Sequence, residues 1–116
     1  AAKLSFESGQ MVSTKTAKTF ADGMAVRVPV AQAFEVYSRG ASRIISVSDD
    51  EVAAAIRLYY TATHNLAEGA GAAPLAAAMQ EREQLKGKRV AVILCGGNID
   101  TDWFLQVMSG ETPQVD

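Results

Sequence analysis

The chain has 116 residues, of which 48% are hydrophobic and 21% charged, with a net charge of −2. That is enough for one small hydrophobic core, and it excludes the basic surface of a nucleic-acid binder. No apolar run approaches the roughly 18 residues that a membrane-spanning helix needs, so neither nucleic acid nor a membrane is an expected partner. The single cysteine, Cys95, can form no internal disulfide, which fits a reducing, cytoplasmic setting.

The opening residues, Ala-Ala-Lys-Leu-Ser, carry neither an initiator Met nor a basic-then-apolar leader and read as the middle of a longer polypeptide. Ala1, Leu4 and Glu7 stand at helical spacing before Gly9, a glycine suited to ending a helix in the left-handed conformation, which predicts the last turns of a helix over 1–8. Gln10 to Lys18 is polar, without a period, and reads as an exposed connection with at most a short extended piece at Met11-Val12. Asp22-Gly23 is a turn signal. Pro29 is placed in the first turn of a helix through Ala31, Phe34, Val36 and Tyr37 that Gly40 ends.

Arg43 to Val47 reads as a short strand. Ser48 and Glu51 stand at the spacing of a capping box, which predicts a helix from there to about Asn65, with Val52, Ala55, Ile56, Tyr59, Tyr60 and Thr63 on one face. His64 falls at its end, where a histidine is a cap or surface group before it is a ligand. Glu68 to Gly71 reads as a tight glycine-rich turn, and Pro74 as a first-turn residue of the next helix, through Leu75, Ala76, Met79 and Glu83. The alanines of that helix suit close packing, whereas Glu68 is an acid among small residues at a helix start, where the helix dipole stabilises its charge.

Lys86-Gly87-Lys88 is an exposed turn into Val90–Cys95, six apolar residues that stop at Gly96-Gly97. Such a run is how a strand buried on both faces of a parallel sheet reads, and ligands of open α/β folds lie beyond the carboxyl ends of such strands. Asp100 is placed as the cap of a final helix with Trp103, Phe104 and Val107, and Gly110 to Asp116 as a polar tail. The fold class expected is therefore α/β, part of an open, mostly parallel sheet with helices on both faces. Two strands cannot shield both faces of Val90–Cys95, so further strands are expected from outside the chain.

Three segments carry a resemblance. Leu-Cys-Gly-Gly-Asn-Ile-Asp (94–100) resembles the Ser-Gly-Gly-Asn-Ile/Val-Asp segment of pyridoxal-phosphate enzymes of the threonine dehydratase and serine racemase group, with Cys95 at the serine position. Thr-Phe-Ala-Asp-Gly (19–23) is similar to that group's Thr-Ile-Ala-Asp-Gly, and Ala-Glu-Gly-Ala-Gly-Ala (67–72) to its Val/Thr-Glu-Gly-Ala-Gly-Ala. Taken in order, they liken residues 1–116 to the C-terminal portion of the large catalytic domain of a fold type II enzyme, of the tryptophan synthase β-like kind.

The resemblance implies pyridoxal 5′-phosphate as cofactor and a reaction in which a β-hydroxy amino acid, L-threonine or L-serine, loses its α-proton and β-hydroxide to give a 2-oxo acid and ammonia. It assigns Cys95, Gly96, Gly97, Asn98, Glu68, Gly69 and Gly23 to the cofactor site. The lysine that holds the cofactor as a Schiff base stands in a Ser-Phe-Lys context in the family; Lys3, Lys15, Lys18, Lys86 and Lys88 do not. No catalytic residue is therefore assigned within the chain, and by itself it is expected to be inactive. Cys95 in place of serine still offers a neutral, weak donor to the pyridine nitrogen, which leaves the ring a moderate electron sink and favours elimination. Some relatives bind a divalent ion through carboxylates at or just before the position of Ala1, so no metal ligand is carried over. The family's dimers and tetramers imply a homo-oligomer, and the remainder of the catalytic domain is the chain's other expected partner.

Other readings remain open at the level of sequence. The same fold supports racemisation or β-replacement. A non-catalytic phosphate- or nucleotide-binding module could use Gly96-Gly97 at a helix start, although Asp100 and Asp102 place negative charge there. The chain could also serve as an assembly element with apolar faces for a subunit contact.

Overall fold

In a computed structural model describing residues 1–116, the chain forms helices and no strand, arranged as two compact units, residues 1–18 with 25–46 and residues 19–24 with 47–116. The α/β expectation is thereby corrected: neither Arg43–Val47 nor Val90–Cys95 is a strand, and there is no sheet, parallel or otherwise. No residue of Val90–Cys95 exchanges a backbone hydrogen bond with another extended segment. Apolar side chains record a tendency to be buried, but a strand exists only where a second backbone supplies the ladder. Leu94 packs against a helical core while Ile93 is 74% exposed.

The first unit contains α1 (Ala2–Ser8) and α2 (Ala31–Gly40). Gly9 ends α1 at φ 72°, the left-handed conformation expected of it. Ser5 is fully buried; its Oγ donates to the carbonyl of Ala1 at 2.9 Å and accepts from the N–H of Val12 at 2.8 Å, which ties the returning chain to the helix. Val30 is the N-cap of α2, so Pro29 precedes the helix rather than standing in its first turn. Phe34 and Tyr37, one turn apart, meet edge to face at 5.5 Å.

The second unit contains a short 3-10 turn (Asp22–Met24), α3 (Asp49–Thr63), α4 (Gly69–Gln80), α5 (Arg82–Leu85) and α6 (Thr101–Met108). Its core joins Val52, Ala53, Ala55 and Ile56 of α3 to Ala72, Ala73 and Ala76 of α4, with Phe20 and Val107. The expected α3 face holds only in part, because Tyr60 and Thr63 are exposed and Ala53 is buried instead. His64 caps α3 at φ 56°, so the structural reading of that histidine stands. Glu68 to Gly71 is not a turn before α4: Glu68 is its N-cap and the glycines belong to the helix. Pro74 accordingly lies inside α4, five residues past its first, where it has no N–H for the carbonyl of Ala70. The tail from Gly110 is not free, since Pro113 is fully buried and Thr112 Oγ1 donates to Asp50 at 2.6 Å.

The capping box forms as its spacing predicts: Glu51 N–H donates to Ser48 Oγ at 3.2 Å and Ser48 N–H to Glu51 Oε2 at 2.7 Å. The Ser48 N–H first, and the side-chain amide of Gln80 at 3.0 Å second, hold the Glu51 carboxyl below the ordinary carboxylate range. A lowered folded-state value means that this stabilisation is complete above the unfolded-state value, about pH 4.3, and is lost as pH falls through the lower folded-state value. Glu51→Gln in the full-length protein is therefore expected to lower unfolding stability at pH 7 and to differ little from the parent at pH 3, as read by urea titration at each pH. An equal deficit at both pH values would contradict the assignment.

Candidate functional site

The segments 19–23, 66–71 and 96–103 meet at the N-terminal end of α4, and small residues let their backbones touch. Thr19 Oγ1 donates to Asp49 Oδ1 at 2.5 Å and accepts the N–H of Ala21 at 3.0 Å, which pins the first segment to the start of α3. Ala21 is then pressed on Gly69 so closely that a Cβ on that glycine would lie 2.6 Å from the Ala21 Cα. Gly23 stands over Ala70, where an added Cβ would come within 3.1 Å of its Cβ.

The loop after Cys95 is seated on α4 in the same way. The N–H of Glu68 donates to the carbonyl of Gly96 at 3.1 Å, and a Cβ on Gly71 would lie only 2.5 Å from that carbonyl oxygen. Gly97 lies over the carbonyl of Leu66, which a Cβ would meet at 2.6 Å. Glu68 makes no side-chain cap to its own helix; its Oε2 accepts the N–H of Asn98 at 3.0 Å instead. Asp100 occupies the N-cap of α6 without a side-chain capping bond, so its expected capping role is positional only.

Beside this junction is a cleft of about 120 Å3 lined by Phe20, Asp22, Glu68, Gly69, Asn98, Ile99, Asp100 and Trp103. Phe20 and Trp103 meet edge to face at 6.2 Å along one side of it. Of the residues that the sequence singles out, Glu68, Gly69 and Asn98 line the cleft, and Gly96 and Gly97 are not in its lining but lie against α4 and Leu66. Cys95 and Gly23 are exposed and outside it. Sequence reasoning did not single out Phe20, Asp22, Ile99, Asp100 and Trp103 as site residues. Four of them stand inside or next to the recognised motifs, where their contact with a common space depends on how the motifs pack.

Residues 1–96 match the family model for pyridoxal-phosphate dependent enzymes. The chain is similar to L-threonine ammonia-lyase of Geobacter sulfurreducens, 40% identical over 85% of the chain and 25% of that protein. It is also similar to serine racemase of Schizosaccharomyces pombe, 31% identical over 90% of the chain and 32% of that protein. Its fold matches that of the processed form of threonine deaminase isoform 2 from Solanum lycopersicum with a TM-score of 0.84 at 29% identity, over 94% of this chain and 32% of that one. The chain thus spans between 25% and 34% of the length of the curated relatives it matches. With a family match over most of its length and the three motif segments packed together, the chain belongs to the pyridoxal-phosphate dependent enzymes.

Proposed function

We propose that residues 1–116 are the C-terminal portion of the catalytic domain of a lyase that deaminates β-hydroxy amino acids, L-threonine or L-serine, to a 2-oxo acid and ammonia. The observation that carries the reading is the seat of the Cys95–Asn98 loop on the start of α4, with backbone bonded to backbone and the Cys95 thiol left exposed and unpaired. This donor set fits the ring side of pyridoxal phosphate and not its phosphate. Cys95 is a neutral donor suited to a pyridine nitrogen, whereas Asp22, Glu68 and Asp100 line the adjoining cleft and would repel an anion.

In this reading Cys95 Sγ–H would donate to the ring nitrogen, and Gly96, Gly97, Asn98, Glu68, Gly69 and Gly23 would shape the wall beside it. When bound, the cofactor supplies the electron sink that lets the α-proton of the substrate leave. The chain's own share is electrostatic: a thiol does not readily protonate a pyridine, so the sink stays moderate and loss of the β-hydroxide is favoured over reprotonation. The proton at the α-carbon is handled by a lysine outside residues 1–116. The remainder of the catalytic domain is thus a required partner, and a cytoplasmic homo-oligomer is the expected setting. The similarity to a serine racemase supports racemisation as the second reading.

The test is the product ratio of the full-length enzyme with L-serine or L-threonine. Cys95→Ser keeps a neutral donor, and turnover is expected to stay within about tenfold of the parent. Cys95→Asp places a carboxylate there, favours a protonated ring nitrogen and is expected to divert turnovers from oxo acid towards the D-isomer and pyridoxamine phosphate. An unchanged ratio in a folded, cofactor-loaded Cys95→Asp enzyme would remove Cys95 from the ring nitrogen.

A further inference from the structure

Glu68 stands where its charge suits the start of α4, yet its carboxylate makes no bond to that helix. It reaches across to the Cys95–Asn98 loop and holds it at two points. The backbone N–H of Glu68 donates to the carbonyl of Gly96 at 3.1 Å, and the side-chain Oε2 accepts the N–H of Asn98 at 3.0 Å. Its other oxygen, Oε1, fills the space where residue 96 would carry a side chain, 2.7 Å from an ideal Cβ on Gly96. One residue thus binds the loop on both sides of Gly97, where an added Cβ would lie 2.6 Å from the Leu66 carbonyl oxygen.

We propose that Glu68 is a positioning residue of the cofactor site, which fixes the Cys95–Asn98 loop and through it the place of the Cys95 thiol. The two glycines then have distinct reasons. Gly96 leaves room for the Glu68 carboxylate, and Gly97 lets the loop lie on the backbone at Leu66. An acid is suited to the task because a charged acceptor makes a stronger bond to a backbone N–H than a neutral one. Asn98 is exposed, so without this acceptor its N–H would bond to water and the loop would lose its second anchor.

The inference rests on the reading above for what the loop presents to the ring, and the experiment keeps the two apart. In the full-length protein, amide exchange at Asn98 is measured without cofactor, and pyridoxal phosphate affinity by absorbance titration, for the parent, Glu68→Ala, Glu68→Asp and Glu68→Gln. The parent should show a protected Asn98 N–H. Glu68→Ala, and Glu68→Asp, which keeps the charge and loses the reach, should each raise its exchange and weaken cofactor binding by about tenfold. Glu68→Gln keeps an acceptor oxygen at the same reach and should fall between them and the parent.

An Asn98 amide that exchanges freely in the parent overturns the proposal even where Glu68→Ala does not fold. So does faster exchange in the folded variants with unchanged cofactor affinity, because the contact would then be structural only. A parent that holds Asn98 and binds no pyridoxal phosphate defeats the proposed function, and with it the positioning role at a cofactor site, while leaving the loop contact intact.

Discussion

Gly71→Ala is expected to displace the Cys95–Asn98 loop and to lower pyridoxal phosphate affinity by more than about tenfold, with a net loss of stability of about 1–2 kcal/mol. Gly71 is buried in α4, and its missing side chain is where the Gly96 carbonyl sits; an added Cβ would lie 2.5 Å from that oxygen and 3.3 Å from the Gly96 nitrogen. Both are backbone atoms and cannot rotate aside. Relief requires the loop to lift, which breaks the bonds from Glu68 N–H to Gly96 and from Asn98 N–H to Glu68, or α4 to withdraw from its neighbours. Alanine is the better helix former by about 1 kcal/mol, which offsets part of the overpacking cost and is why affinity should respond more than stability. Gly40→Ala is the control, because nothing lies within 4 Å of a Cβ there and its φ is not positive. Denaturant unfolding and cofactor titration of the two full-length variants decide the matter: if Gly71→Ala behaves like Gly40→Ala, the seat of the loop on α4 is wrong.

Ile56→Ala should produce the largest stability loss, about 3–4 kcal/mol, while turnover per folded molecule is retained. Ile56 is fully buried on α3 in one cluster with Ala72, Ala73 and Ala76 of α4. Those alanines have already brought the helices together with short side chains that cannot extend into the space a lost isoleucine side chain would leave. The residue is not among those that line the cleft. Urea unfolding of the full-length variant, paired with turnover corrected for folded fraction, checks both halves. A loss below about 1 kcal/mol would mean that the α3–α4 core collapses around the cavity.

The local features of this chain were legible without a structure, because each is written within a few residues. Ser48 and Glu51 foretell both bonds of the capping box, Gly9 the left-handed end of α1, and the start of α3 follows from the same cap. The three motifs pointed to the family, and the family model covers two of them and reaches Gly96 in the third. What failed was non-local. Val90–Cys95 has the composition of a buried strand, but composition reports only which side chains avoid water; strand formation depends on a partner backbone, and this segment has none here. Gly69 and Gly71 read as a turn because glycine carries little local preference for a helix. Their actual reason is contact, with Ala21 over one and the Gly96 carbonyl over the other. Glu68 likewise has the look of a helix-start acid, and only the packing of residues 96–98 on α4 turns its carboxylate to Asn98. The sequence by itself determined the Gly9 and Ser48 caps, the helix ends they mark, and the kinship. Tertiary structure decided where α4 starts, that no sheet forms, and which motif residues share a cleft, because those depend on backbones far apart in the chain coming within touching distance.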